Sequence, residues 1–164
     1  MEGLRDTLLV PASASVAMVM GSMVPMMSQA FLRGGLKDDN GKPVFSTPYK
    51  PWEVPAKYAS EGDDLYRAHK AAENIKEWTF HVIPLMWTFF IFGGGIPYIG
   101  DSAMEGAVAL STATWLFGCY KYFTGYQGSA NGRQTGFMIR FLVVFFWLSG
   151  SAIGLGCAAW NRMK

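Results

Sequence analysis

Long apolar stretches alternate with short polar segments along the 164-residue chain. A membrane-spanning helix needs roughly 20 apolar residues, at about 1.5 Å of rise each, to cross about 30 Å of hydrocarbon. The third apolar run reaches that length only if its helix continues through the aromatic residues after Tyr120. We therefore predict a single all-α domain, 1–164, folded as a four-transmembrane-helix bundle. The predicted spans are at about 7–32, 64–96, 103–126 and 135–160.

The polar segment 33–63 is predicted to be an extended connector rather than a further helix. It contains Pro43, Pro48, Pro51 and Pro55 and has no periodic apolar pattern. Tyrosine and tryptophan concentrate at membrane–water interfaces, so the aromatic residues of the connector favour docking at the level of the lipid headgroups.

Composition agrees with a membrane protein and excludes some functions. Hydrophobic residues make up 51% of the chain and charged residues 16%, whereas soluble domains carry about 25% charged residues. The net charge of +2 is too small to favour a nucleic-acid partner. Cys119 and Cys157 both lie in apolar runs, without the spacing of a disulfide framework or a metal site. Each is predicted to be a small buried hydrophobic residue.

The start of the chain fits two interpretations. Arg5 followed by an apolar stretch with small residues resembles a signal peptide and its cleavage site. The apolar run continues well beyond Ala14, however, as far as Phe31. That length favours a retained first span, in which Pro11 and Pro25 are tolerated because neighbouring groups satisfy the backbone.

Lysine and arginine are concentrated on one side of the predicted bundle, which indicates the cytoplasmic side or the equivalent face of an organelle. The expected location is therefore an integral, multi-pass position in the endoplasmic reticulum or in a mitochondrial or plastid membrane. The residues on the richer side are Arg33, Lys37, Lys42, Lys50, Lys57, Arg67, Lys70, Lys121 and Arg133, against Arg5, Arg162 and Lys164 on the other.

A polar stripe lies where the second helix enters the membrane. Its members follow steps of three and four residues, which places side chains on one helix face: Arg67, Lys70, Asn74, Glu77 and His81. Ionisable groups at membrane depth are site candidates because they are costly unless paired. Asn74 and Glu77 are predicted to be functional, whereas Arg67 and Lys70 fit a site or a solvated interfacial turn equally well. His81 is predicted to be a buried, hydrogen-bonded histidine.

A second polar group follows the third apolar run. Tyr122, Tyr126 and Arg133 are spaced by four and seven residues and would share a face if the third helix extended beyond the membrane surface. Glycines lie between them, which suggests that something large packs against the backbone there. In the fourth span, Gly150 and Gly154 form a GxxxG spacing that predicts close helix packing.

These residues resemble the signature of the MAPEG family, which comprises membrane-associated glutathione transferases, the leukotriene-forming synthase and related eicosanoid proteins. The matching pattern is Tyr122-Phe-x-Gly125-Tyr126-x-x-Ser129-Ala130-x-x-Arg133, followed by Gly136-Phe137. In the second helix, Asn74-x-x-Glu77-Trp78 is also similar to the family pattern. The chain departs from it at Lys70, where the family has arginine. Either Lys70 replaces that arginine, or Arg67 reaches the same ligand group.

The resemblance implies a homotrimer that holds glutathione between subunits, near the cytoplasmic side, as a co-substrate. It implies a glutathione transferase or glutathione-dependent peroxidase that acts on lipophilic electrophiles or lipid hydroperoxides arriving from the membrane lipids. The implied catalytic residue is Arg133, which stabilises the thiolate. The implied glutathione-binding residues are Arg67, Lys70, Asn74, Glu77, Tyr122 and Tyr126. The alternative is a non-catalytic protein of the same fold that binds lipid or serves as a structural subunit of a larger membrane complex.

Overall fold

The computed structural model describes residues 2–34, 40, 64–97, 99–129 and 131–164. These residues form four α-helices and no strand, which confirms the all-α prediction. The helices are α1 Glu2–Gly34, α2 Asp64–Gly93, α3 Asp101–Gly128 and α4 Gln134–Met163, and a short 3-10 turn, Asn131–Arg133, lies between α3 and α4. The predicted connector lies outside the described residues, except for the end of α1 and Asn40.

Successive helices run in opposite directions. Trp87 Nε1 near the end of α2 donates to Ser15 Oγ in the first half of α1 at 2.9 Å. Arg67 Nε at the start of α2 donates to the carbonyl oxygen of Gln127, at the end of α3, at 3.1 Å. The start of α2, the end of α3 and the start of α4 therefore meet at one end of the bundle. We call this end, which carries Arg67, Gln127 and Arg133, the polar end.

Helix α1 is an integral part of the bundle. It packs against both α2 and α3, and its Ala14, Met18 and Ser22 are buried. Ser15 accepts the hydrogen bond from Trp87. These contacts place α1 among the packed helices of the domain.

The interior contains polar groups as well as apolar ones. Trp115 and Trp147 are fully buried, each with 0% exposure. Trp147 Nε1 donates to Ser111 Oγ at 2.8 Å, and that hydroxyl lies within hydrogen-bonding distance of the carbonyl oxygens of Ala107 and Val108 in its own helix. Buried hydroxyls in helices commonly satisfy themselves by such backbone contacts. The core is thus held by aromatic packing and by hydrogen bonds between buried polar groups of neighbouring helices.

The outer surface of α1 and α4 is apolar. Leu8–Ser28 and Asn131–Met163 have mean hydropathies of 1.6 and 2.0, and only 28% and 22% of these segments is buried. Within the described residues, these are the two helices long and apolar enough to cross a membrane. The low burial distinguishes them from the core helices of a soluble bundle. Exposed residues of α4 include Phe141, Leu142, Phe145, Phe146, Leu148 and Ile153.

Helices α2 and α3 do not meet the same test of length and composition. In α2 the charged first half, with Lys70, Glu73 and Glu77, is followed by a shorter apolar part from Trp78 to Gly93. At about 1.5 Å per residue this part is about 24 Å long, less than the roughly 30 Å of a hydrocarbon core. Two apolar helices are therefore shown, and the four-span topology remains a prediction.

Glycines bring three pairs of segments into close backbone contact. A Cβ atom on Gly136 would overlap the backbone of Tyr122 in α3, and one on Gly154 would overlap the carbonyl of Phe92 in α2. The close packing predicted for the GxxxG spacing is confirmed at Gly154. Gly125 and Gly132 lie against each other. The predicted close packing at these two glycines is therefore between the end of α3 and the turn that follows it.

Candidate functional site

A cavity of about 550 Å³ lies at the polar end between α2, α3 and α4. This volume is within the range of small-molecule pockets, roughly 300–1,000 Å³. Its walls combine aromatic and apolar groups with two arginines and two amides. The lining residues are Asn74, Trp78, Tyr122, Arg133, Gln134, Phe137, Met138 and Arg140.

Helix geometry explains how these side chains reach one space. Asn74 and Trp78 are four residues apart on α2, and therefore lie on one face. Close approach at Gly136 allows α4 to pack directly on the α3 backbone around Tyr122. Trp78 and Phe137 meet edge to face, with ring centroids 6.3 Å apart, and this contact joins α2 to α4. The apolar walls of the cavity are thus fixed by packing between rigid helices.

Arg140 is the most unusual group in the cavity. It is only 2% exposed, and its Nε and Nη1 atoms have no hydrogen-bond partner among the described residues. Its guanidinium carbon lies 4.1 Å from the ring centroid of Tyr122 and 5.6 Å from that of Trp78. A desolvated cation–π contact is worth about 2 kcal/mol, whereas burying an unpaired ion costs several kcal/mol. The two rings therefore do not replace a counter-charge, and the cavity is suited to an anion.

Sequence reasoning missed Arg140, although a signal was present. The residue lies six positions into α4, the most apolar of the four helices. An ionisable residue within a candidate membrane span is a functional-site hypothesis by default, and that rule alone would have selected it. The resemblance of the neighbouring residues to the MAPEG signature instead implies that Arg133 is the catalytic arginine.

Arg133 lies at the mouth of the cavity and is exposed. Its guanidinium carbon is 4.8 Å from the ring centroid of Tyr126, and the Tyr126 ring lies 5.9 Å from that of Tyr122. The three predicted residues are therefore neighbours, but not through a shared helix face. Helix α3 ends at Gly128, and the chain reverses so that Arg133 returns to Tyr126. Tyr122 lines the cavity, whereas Tyr126 is buried behind it.

The turn that positions Arg133 is held by Ser129. The backbone amide of Gly132 lies 3.0 Å from Ser129 Oγ and 3.1 Å from the Ser129 carbonyl oxygen. The amide of Ser129 in turn donates to the Gly125 carbonyl oxygen at 3.1 Å, which closes the end of α3. These bonds show that Ser129 and the glycines on either side of it close the turn between α3 and α4.

The structure does not bring Arg67 and Lys70 to the cavity. Arg67 Nε donates to the Gln127 carbonyl oxygen, one of the last four carbonyls of α3 that lack a partner within the helix. Lys70 Nζ donates to Glu73 Oε2 at 2.9 Å, and His69 Nε2 lies 3.1 Å from the other carboxylate oxygen of Glu73. These contacts join α2 to α3 and organise the surface of α2.

The predicted polar stripe on α2 separates into different environments. Asn74 lines the cavity, and its Nδ2 donates to the Lys70 carbonyl oxygen at 2.9 Å. Glu77 is exposed and does not line the cavity. His81 is exposed, so the prediction of a buried histidine is wrong, and its Nδ1 lies 2.7 Å from the Glu77 carbonyl oxygen. Phe80, next to it in the chain, is also exposed.

The ion pair of Glu73 gives a pH-dependent prediction. It lies in the charged first half of α2, before the apolar part. Burial acts to raise the pKa of Glu73, but the hydrogen bond from Lys70 and the charges of His69, Lys70 and Lys76 outweigh it and hold the pKa below its ordinary value of 4.5. A lowered folded-state pKa stabilises the fold above pH 4.5, and the stabilisation is lost as the pH falls through the folded-state pKa.

We therefore expect the Glu73→Gln variant to lose less thermal stability than the wild type when the pH is lowered below about 4.5. The effect should be under about 1 kcal/mol because the pair is partly exposed. Melting temperatures in detergent across the acid range would measure it. Glu105→Gln, at the opposite end of the bundle, is the control and should retain the wild-type acid dependence. Identical acid profiles for Glu73→Gln and the wild type would contradict the assigned role of the pair.

Metal chemistry and disulfides have no candidate in the part of the chain that the structure describes. No group of three histidine, cysteine, aspartate or glutamate residues there is placed to hold a metal ion. Cys119 is buried, as predicted, and Cys157 is half-buried; both are free thiols. The site is therefore defined by its cations, amides and aromatic walls.

Comparison with known proteins gives no independent assignment. No family model matches the chain, and no curated protein matches it significantly.

Proposed function

We propose that the cavity binds glutathione and stabilises its thiolate for attack on lipophilic electrophiles or lipid hydroperoxides. The observation that carries this proposal is the pairing of two arginines, Arg133 at the mouth and Arg140 inside, in one cavity with Asn74 and Tyr122. Glutathione carries two carboxylates, one ammonium group and an ionisable thiol. Ionising the thiol leaves the tripeptide with a net charge opposite in sign and equal in size to that of the two arginines. The similarity to the MAPEG signature supports the same assignment.

The chemistry requires a thiolate, because the thiol itself is a poor nucleophile. In the transferase reaction the sulfur lone pair forms a carbon–sulfur bond, and the leaving group departs with the electron pair of the broken bond. In the peroxidase reaction the thiolate attacks the terminal oxygen of a hydroperoxide. The O–O bond breaks, the lipid alkoxide takes up a proton, and a glutathione sulfenic acid forms. A second glutathione then gives the disulfide and water.

The proposal includes a membrane-embedded homotrimer. The membrane location is supported by the apolar exterior of α1 and α4 and by the exposure of Phe137 and Met138, which line the cavity as well as the outer surface. The trimer is supported by the MAPEG resemblance. A lipophilic substrate dissolved in the bilayer would reach the cavity past these two side chains. The polar end faces the cytoplasm in this proposal, and the membrane is that of the endoplasmic reticulum or of an organelle.

The test is a titration of the purified protein in detergent with glutathione, followed by the ultraviolet absorbance of the thiolate. A saturable thiolate signal is expected with the wild type. Arg133→Ala should weaken the apparent affinity about tenfold, because it removes a charge-assisted contact of about 1.4 kcal/mol. Arg162→Ala, an exposed arginine at the other end of the bundle, is the matched control. Correctly folded wild-type protein that gives neither binding nor a thiolate signal would exclude the proposed function.

A second candidate is a non-catalytic lipid-binding or structural subunit. The observation that favours it is the engagement of Arg67 and Lys70 with Gln127 and Glu73, which leaves the resemblance-predicted cations on α2 outside the cavity. The two candidates differ in assembly. An enzyme should purify as a self-contained trimer with glutathione-dependent activity, whereas a structural subunit should co-purify with unrelated membrane proteins and show no thiolate signal.

A further inference from the structure

Two arginines occupy the same cavity in different electrostatic surroundings. Arg133 and Arg140 are seven residues apart, which is about 10 Å along a helix axis. Arg133 is exposed at the mouth and lies against the Tyr126 ring. Arg140 is 2% exposed and is enclosed by the rings of Tyr122 and Trp78. The chain thus provides one solvated cation and one desolvated cation for a ligand that spans the cavity.

We propose that Arg140, and not Arg133, is the cation that faces the sulfur of bound glutathione and lowers its pKa, while Arg133 binds a carboxylate at the mouth. This inference rests on the proposed function and refines it. It differs from the assignment that the sequence resemblance implies, which gives the thiolate to Arg133. Arg140 would be a catalytic residue, since it contacts the reacting atom.

Solvent exposure supports this division of roles. Water and salt screen a charge at the surface, so an exposed cation shifts a neighbouring pKa less than a buried one does. A carboxylate is ionised at neutral pH without help and needs only a contact, which Arg133 offers. A thiol has a pKa of about 8.5 and ionises at neutral pH only if its anion is stabilised. The buried guanidinium is therefore placed where its charge has the larger effect.

Two hydrogen-bond donors of Arg140 that lack a partner also support the assignment of the thiolate to this residue. Nε and Nη1 of Arg140 are buried without a hydrogen-bond partner among the described residues, and buried polar groups are normally paired. An anion in the inner part of the cavity would supply that partner. Sulfur is a weak hydrogen-bond acceptor, and its anion suits a site where aromatic rings rather than water surround the cation.

No other described residue that lines the inner part of the cavity carries a positive charge. Tyr122 and Cys119 on α3 lie within hydrogen-bonding and electrostatic range of the Arg140 guanidinium. From α2, the cavity receives the neutral side chains of Asn74 and Trp78. On α4, Gln134 and Met138 are neutral, so the inner part of the cavity has Arg140 as its cation among the lining residues.

The experiment measures the pH midpoint of the thiolate signal at saturating glutathione, together with binding of glutathione by calorimetry. The variants are Arg140→Met, Arg140→Lys and Arg133→Ala, with Arg162→Ala as control. S-methylglutathione, which has no ionisable thiol, separates the ligand signal from those of Tyr122 and Cys119. Circular dichroism and melting temperature verify folding. Arg140→Gln, which keeps N–H donors but not the charge, serves if Arg140→Met does not fold.

The wild type should show a midpoint at least one pH unit below 8.5. In Arg140→Met or Arg140→Gln the midpoint should rise by at least one unit, a tenfold loss of thiolate, measured at a glutathione concentration that saturates the variant. The midpoint of Arg140→Lys should lie between the midpoints of these two variants and that of the wild type. Arg133→Ala should bind more weakly with an unchanged midpoint. The inference fails if the midpoint moves with Arg133→Ala and stays fixed in the Arg140 variants. Absence of glutathione binding by the wild type would instead refute the proposed function.

Discussion

Replacing Gly136 with alanine is expected to destabilise the bundle by about 3 kcal/mol and to lower its melting temperature by roughly 10 °C. A Cβ atom at this position would overlap the backbone nitrogen and Cα of Tyr122 and would lie 2.7 Å from the carbonyl oxygen of Gly118. Both obstacles are backbone atoms of a helix, so no side-chain rotation relieves the overlap. The helices α3 and α4 must move apart, and the walls of the cavity, with the glutathione binding proposed for it, should be lost with the packing.

Gly156→Ala is the matched control for this substitution. It lies on the same helix, and a Cβ atom there would meet no other atom within 4 Å. Alanine is favoured over glycine in a helix by up to about 1 kcal/mol, so this variant should be as stable as the wild type or slightly more stable. Melting curves in the same detergent compare the two. Equal melting temperatures for Gly136→Ala and Gly156→Ala would show that the α3–α4 contact is not as close as described.

The second large effect is expected from Trp147→Ala, with a loss of about 3–5 kcal/mol of stability. The side chain is fully buried, and its Nε1 donates to Ser111 Oγ at 2.8 Å. Truncation removes the indole packing and leaves the Ser111 hydroxyl without its indole donor in the interior. Both losses act on the contact between α3 and α4, at a level of the bundle away from the proposed glutathione site.

Trp147→Phe separates the two contributions, since it keeps most of the packing and removes the hydrogen bond. Its cost should be about 1 kcal/mol, with a further contribution from the change in ring shape. Trp160→Ala is the exposed control and should change stability by less than about 0.5 kcal/mol. Unfolding by heat in detergent gives all three values. A Trp147→Ala variant as stable as Trp160→Ala would contradict the described core.

The sequence predicted the helices better than it predicted the site. Apolar runs of this length and the glycine and proline breaks between them predict four helices, and all four occur in the structure. The spacing of three and four residues selected Asn74, which lines the cavity, but it grouped Asn74 with Glu77 and His81, which do not. It failed for Arg133, because the chain reverses after Gly128 and helical spacing does not extend across a turn.

Burial was the property that periodicity predicted least well. His81 is predicted to be buried and Glu77 to belong to a site, yet both are exposed, because α2 presents only part of its surface to the other described helices. Arg140 was passed over, although its position within an apolar run distinguishes it. Which arginine is buried depends on how closely α4 approaches α3. That approach depends on Gly136, which lies against the backbone of Tyr122, and on Gly118, which lies against Arg140.

The position of Arg140 has a consequence for how α4 would enter a membrane in the proposed arrangement. An arginine inside a hydrocarbon layer costs at least about 2.5 kcal/mol on insertion scales, so a membrane-spanning α4 would carry this cost unless its side chain met a partner. The rings of Tyr122 and Trp78 that receive the guanidinium belong to α3 and α2. Both helices precede α4 along the chain and leave the ribosome first. The free-energy cost of inserting Arg140 would therefore be reduced during synthesis, because α2 and α3 are already present when α4 arrives.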